Sequence, residues 1–68
     1  MIKSKIIKVN NKYYIKVIYH ANNDIRLYIL INNNNKKICE SCSRDSFLIK
    51  VNRKVKLTNK IKLLVASI

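Results

Sequence analysis

Tyr13-Tyr14-Ile15-Lys16-Val17-Ile18-Tyr19-His20 is the stretch whose reading decides the fold. In an extended chain every second side chain falls on the same face. Ile15, Val17 and Tyr19 then share one side, and Tyr14, Lys16, Ile18 and His20 share the other. Alternation rather than helical spacing organises the run, and its β-branched and aromatic residues suit a strand. The next run repeats the pattern, with Ile25, Leu27, Ile29 and Ile31 alternating with Arg26, Tyr28 and Leu30. Working outward, the same reading predicts strands over about 3–9, 13–20, 25–31, 46–51 and 60–67. The last of these, Lys60-Ile61-Lys62-Leu63-Leu64-Val65, also fits a helix turn.

Asparagine marks the connections. Asn10-Asn11 separates the first two runs, Asn22-Asn23 the next two, and Asn32 to Asn35 follows the third. The chain has no Gly and no Pro, and Asn is the best remaining residue for positive φ and for closing a turn with its side chain. Five short strands in 68 residues imply an all-β single domain over 1–68. The architecture expected at that size is a small five-stranded OB-like barrel, with an SH3-like barrel as the near alternative. Lys36 to Arg44 is expected as an irregular loop or as one short helix plugging the barrel.

Twelve Lys, twelve Ile and ten Asn fill half the chain. All three types have codons that can be written with A and T alone, whereas the missing Gly, Pro and Trp need G or C. This is the composition of a strongly AT-rich gene. It also excludes functions, because phosphate-binding loops, dinucleotide fingerprints and nucleophile elbows all need Gly. The apolar fraction of 49% is enough for a small core and is not the profile of a disordered chain.

Fifteen bases against three acids give a net charge of +12. Such a chain repels itself, and a polyanionic partner relieves the repulsion. RNA or DNA is the leading candidate and an anionic membrane the second. Residues 1–19 and 46–68 hold bases and no acid, while Asp24, Glu40 and Asp45 lie between them. Both ends of the chain are thus expected to meet the polyanion. The longest apolar runs fall far short of a membrane span. No apolar leader segment is visible, and the start at Met1 fits a gene translated where the protein works.

Cys39-Glu40-Ser41-Cys42 is a CxxC, but structural zinc wants four ligands and only His20 could join. Two reduced, ligand-free thiols are expected, with a metal or a disulfide as alternatives. His20 lacks a nucleophile or carboxylate pair beside it. Asp24 and Asp45 read as turn formers. No catalytic residue, metal or cofactor is expected, and no small-molecule substrate. Tyr13, Tyr14, Tyr19, Tyr28 and Phe47 are read mainly as core, with one of Tyr13 and Tyr14 free to stack on a base or ribose.

The densest basic stretch runs Arg53-Lys54-Val55-Lys56-Leu57-Thr58-Asn59-Lys60-Ile61-Lys62. Arg53 can hold a phosphate bidentately and the lysines act as point charges. Thr58 and Asn59 can donate to phosphate or to a 2′-hydroxyl. It reads as a long basic loop, 52–60, between the last two strands. Together the residues expected to touch RNA are Lys3, Lys5, Lys12, His20, Arg26, Lys36, Lys37, Arg53, Lys54, Lys56, Thr58 and Lys60.

At this stretch the chain resembles bacterial-type small-subunit ribosomal protein seventeen. That family carries an Asp followed by alternating apolar residues, then a basic segment of the form Arg-Pro-Leu-Ser-Lys-Thr-Lys, then an aromatic and Leu-Val. Asp45, Phe47 and Ile49, then Arg53, Val55 and Thr58, then Ile61 and Leu63-Leu64 stand in the matching places. Lys5 to Val9 and Tyr13 to Tyr19 look like the family's first hairpin, and His20 and Cys42 fall near its His and Cys. Arg44 replaces the family's Gly, Lys54 its Pro, and the middle segment shares little. The resemblance implies an OB fold that binds ribosomal RNA beside neighbouring ribosomal proteins in the small subunit. With the AT-rich coding, it implies the ribosome of an organelle, a plastid or relict plastid, or else a mitochondrion. Archaeal or eukaryotic-type small-subunit protein twenty-eight resembles the same C-terminal half. The rival expectations are a large-subunit protein, a transient initiation-factor-like protein, and an accessory subunit docking an acidic partner.

Overall fold

The computed structural model describes residues 2–20 and 26–68; the expected Asn22-Asn23 turn and Asp24 lie outside them. Strands β1 (Ile2–Lys8), β2 (Tyr13–His20), β3 (Arg26–Asn32) and β4 (Lys37–Ser41) are followed by helices α1 (Arg44–Asn52) and α2 (Asn59–Ala66). The strands form one antiparallel sheet in the order β1-β2-β3-β4. The chain is therefore mostly β, with three of the expected strands in place.

The register sorts every strand residue onto one of two faces. Ile7, Ile15, Leu30 and Cys39 form a row across one face, and Lys5, Val17, Tyr28 and Ser41 form the next. This face carries the core: Ile7, Ile15, Val17, Tyr28 and Leu30 are buried together with Phe47, Val51, Leu57 and Val65 from the helical half. The opposite face holds the rows Lys8–Tyr14–Ile31–Lys37 and Ile6–Lys16–Ile29–Glu40. Both helices pack on the first face, so the second is open, and Ile2 and Ile6 stand exposed on it.

The barrel is not formed. The two C-terminal strands expected at 46–51 and 60–67 are α1 and α2, and 36–44, expected as a loop or helix, supplies β4. Among the described residues β1 and β4 make no contact, so the sheet stays open. The reason lies in spacing and capping. Phe47, Ile49 and Val51 read as alternating, yet Phe47 and Val51 also stand four apart, one turn of helix. Ile49 decides between the readings: it is 59% exposed, while Phe47 and Val51 are fully buried. In α2, Ile61 and Val65 face inward at the same spacing and Leu63 is 71% exposed. Each helix also has an N-cap that alternation cannot reveal. Ser43 Oγ accepts from the Ser46 amide at 3.4 Å, and Thr58 Oγ1 accepts from the Ile61 amide at 3.3 Å. Such caps satisfy amides that lack partners inside the helix.

The edges suit an open sheet. β1 carries Lys3, Lys5 and Lys8, and charged side chains, Lys above all, blunt an edge against pairing. β4 is only five residues long, with the extra residue Ile38 bulging between the pairs Leu30–Cys39 and Ile31–Lys37.

Asparagine does close the described turns. Asn10 Oδ1 accepts from the amides of Lys12 (2.8 Å) and Tyr13 (2.9 Å), and Asn32 Oδ1 accepts from those of Asn34 and Lys36 (both 2.9 Å). Asn35 takes φ 63°, the left-handed region.

Two stability outcomes are expected. Phe47→Ala removes the largest fully buried side chain and is expected to cost about 3–5 kcal/mol. For a domain this size that is most of the available stability, so its far-UV circular dichroism melt should lose its cooperative transition near room temperature. Asn35→Gly keeps the positive φ whereas Asn35→Val opposes it. The Val variant is expected to be less stable than the Gly variant by about 1–2 kcal/mol in urea denaturation; equal midpoints would refute the role given to Asn35.

Candidate nucleic-acid interface

The β1–β2 turn (residues 9–12) and the β3–β4 turn (33–36) lie at the same end of the sheet, joined by a 2.8 Å hydrogen bond from the Asn33 amide to the Lys12 carbonyl. At the opposite end, Ser43, Arg44 and Asp45 from the start of α1 share one depression with Ala66 at the end of α2 and Ile68 beyond it. The helix connection, Arg53 to Thr58, places Lys54 close enough to Cys39 of β4 for its charge to act on that thiol. The two turns and this connection all carry exposed cations.

Their cations come from distant parts of the sequence. Lys12 is on the first turn, Lys36 on the second, and Arg53, Lys54 and Lys56 on the helix connection, with Lys60 in the first turn of α2; all six are exposed. Leu57 anchors the connection by burying its side chain, and Val55 packs partly against the core. The connection is thereby a held scaffold for its lysines rather than a loose loop. Thr58 Oγ1 is the N-cap acceptor, which leaves its hydroxyl hydrogen free to donate outward.

Carboxylates offset little of this charge. Glu40 pairs with Lys37 (2.7 Å) on the open face, and Asp45 lies 3.9 Å from Arg44 at the opposite end. Lys50 Nζ donates to the Glu40 carbonyl at 3.3 Å. No carboxylate among the described residues pairs with Lys12, Lys36, Arg53, Lys54, Lys56 or Lys60.

The remaining expected contact residues are placed elsewhere. Lys3 and Lys5 lie on the β1 edge; Lys5, Ile6, Ile7 and Lys8 line a groove with Leu64, Ser67 and Ile68, so the two acid-free segments of the chain are neighbours. Lys37 is committed to Glu40. Arg26 donates from Nε to the Ile68 carbonyl at 2.9 Å, tying the C-terminal residue to the sheet. His20 ends β2 opposite Ile2, at the far end. The expected loop 52–60 joins two helices, not two strands.

Lys8 and Lys16 were not among the expected contact residues, and Tyr14 was expected to stack only as one of the pair Tyr13 and Tyr14; all three lie on the open face. Their alternation with the core positions was the signal that could have found them. Of the five aromatics, Tyr28 and Phe47 are buried and stacked with centroids 5.6 Å apart at 27°. Tyr13 and Tyr19 pack against the core, and Tyr14 alone faces the open side.

Cys39 is half-buried under α1 and Cys42 is exposed; neither is in a disulfide. Burial pushes the Cys39 thiol above its ordinary value, and the nearby charges of Lys50 and Lys54 oppose that only in part. Among the described residues no three His, Cys, Asp or Glu side chains cluster closely enough to hold a metal ion. No described helix is long and apolar enough to cross a membrane.

The chain matches no protein-family profile, no curated protein and no solved structure. Charge and geometry therefore carry the functional reading.

The thiols offer a check on this end of the fold. A thiolate is the reacting species, so Cys42 is expected to be alkylated well before Cys39 at mildly alkaline pH, as read by peptide mass spectrometry. Because the folded state holds the Cys39 proton more tightly, the stability this adds is present below the ordinary thiol pKa and is lost as pH rises past it. Equal alkylation rates would contradict the burial of Cys39.

Proposed function

We propose that the protein binds RNA as a structural component of a ribonucleoprotein particle, and specifically as a constituent of the small ribosomal subunit. The observation that carries the binding reading is that Lys12, Lys36, Arg53, Lys54, Lys56 and Lys60 are all exposed and that no carboxylate among the described residues pairs with them. The turns that carry Lys12 and Lys36 are hydrogen-bonded to each other, and buried Leu57 holds the connection that carries Arg53, Lys54 and Lys56. A surface spread in this way suits the curved backbone of a folded RNA better than a single pocketed anion. Phosphate contacts fix position and orientation without reading sequence, so RNA shape would dominate recognition.

The ribosomal reading rests on the resemblance around Asp45 to Leu64, on the small size and on the +12 charge. The open sheet departs from the barrel that the resemblance implies, and Arg53, Val55 and Thr58 fall between helices. What support the resemblance still lends comes from residue order and not from fold. The AT-rich composition supports an organellar ribosome, of a plastid, a relict plastid or a mitochondrion. Ile2, Ile18 and Leu27 line a depression at the far end of the open face, and this apolar surface suits a neighbouring protein in the particle. The same surface favours the second reading, an accessory subunit seated on an acidic protein.

Salt separates these readings. Six phosphate contacts predict a log–log dependence of RNA affinity on salt with a slope of about −4 to −5. Changing Lys54 and Lys56 together to Ala is expected to flatten that slope by about 1.5–2 while far-UV circular dichroism is unchanged. A flat dependence for the wild type would sink the proposal. Co-sedimentation tests the particle: a structural constituent stays with ribosomal subunits through moderate salt, a transient factor leaves them, and an accessory subunit sediments elsewhere.

A further inference from the structure

We propose that the corner of the open sheet face around Tyr14 takes an unpaired nucleotide, so that the protein prefers single-stranded RNA to duplex. This rests on the RNA-binding reading above and names the form of RNA it selects.

Tyr14 sits in the row Lys8–Tyr14–Ile31–Lys37, and Lys16 follows two residues along on the same face. Both helices pack on the other side of the sheet, so no element among the described residues covers the ring. The Tyr14 hydroxyl donates to Asn35 Oδ1 at 3.0 Å. That bond satisfies the polar edge and holds the ring in place, which lowers the ordering cost of binding. Beside the ring, a shallow groove is lined by Ile6, Lys8, Asn11, Lys12, Tyr14 and Asn33, among others, with no acid on its walls. The side-chain amides of Asn11 and Asn33 make no hydrogen bond to any described residue. They remain available to the donor and acceptor edges of a base.

The arrangement matches the parts of one nucleotide. A base can stack on the aromatic face, its phosphates meet Lys8 and Lys12, and its edge reaches the free amides. Every base has a π-face, so stacking of this kind tolerates sequence. In a duplex the base faces are already stacked on one another, and only backbone and groove edges are offered. A second copy of this chain is a poor occupant, because it would bring lysine against lysine at net charge +12.

The experiment compares affinities of the full chain for an oligouridylate of about twelve nucleotides and for an RNA duplex, at one salt concentration, by fluorescence anisotropy. Tyr14→Leu is expected to weaken oligouridylate binding by about tenfold and to leave duplex binding unchanged. Tyr14→Phe, which keeps the ring and loses the hydroxyl, is expected to retain most of the single-strand affinity. Changing Lys54 and Lys56 to Ala is expected to weaken both RNAs. Equal loss on both RNAs in Tyr14→Leu, or loss on neither, overturns the assignment while leaving RNA binding in place. If the wild type binds neither RNA, both proposals fall. Should the Leu variant unfold, ultraviolet cross-linking of the wild type to oligouridylate decides: adducts on the Tyr14 peptide support the site, and adducts only elsewhere overturn it.

Discussion

The Phe47 ring lies against Tyr28 with centroids 5.6 Å apart, and both side chains are buried. Offset aromatic packing of this kind adds to the burial itself. Here it joins the helical layer to the sheet, because Tyr28 belongs to a central strand and Phe47 to the first turns of α1. Val51, one helical turn on, reaches the same core. Once α1 is seated, β4 has a partner on its inner side and Lys54, just after the helix, comes near Cys39. The basic connection, the placement of α2 and the burial of Leu57 all follow from that one seating.

A consequence is the division of labour between the two faces. The nonpolar side chains available to a 68-residue chain fill one layer between sheet and helices, and little is left to cover the other side. The uncovered face is therefore mixed, with Ile, Tyr and Lys alternating across the strands. A soluble sheet can expose such a face when charge is interspersed. Lys16 in the middle of Ile6, Ile18 and Ile29 interrupts what would otherwise be a continuous apolar surface.

Much of the sheet was legible. The alternation over Tyr13 to His20 gave the right strand and the right division into two faces, because period two is strongly specified where one face is buried; which face is buried was left to the packing. The Asn turns at 10–11 and 32–35 were legible too, since in a chain without Gly few other residues can bend so tightly. The C-terminal third was not. Phe47-Leu48-Ile49-Lys50-Val51 satisfies both a period of two and a spacing of four, and short apolar runs do not separate the two. Ser43 and Thr58, the caps that tip the balance, are ordinary loop residues until the helix exists. Of the expected contact residues, Lys12 and Lys36 were brought onto neighbouring turns, whereas His20 and Arg26 lie at the other end of the sheet.

The amino-acid sequence alone determined the charge, its crowding into two acid-free segments, the central strands and the residues that turn the chain. These are local or additive properties, set by composition and by neighbours a few positions away. Tertiary structure decided the rest: that the last two apolar runs coil rather than extend, that the sheet stays open, and that the turns carrying Lys12 and Lys36 meet. Those outcomes depend on which side chains can be buried together. Ile49 and Leu63 are left in water so that Phe47, Val51 and Val65 can be removed from it, and only the packed core makes that choice.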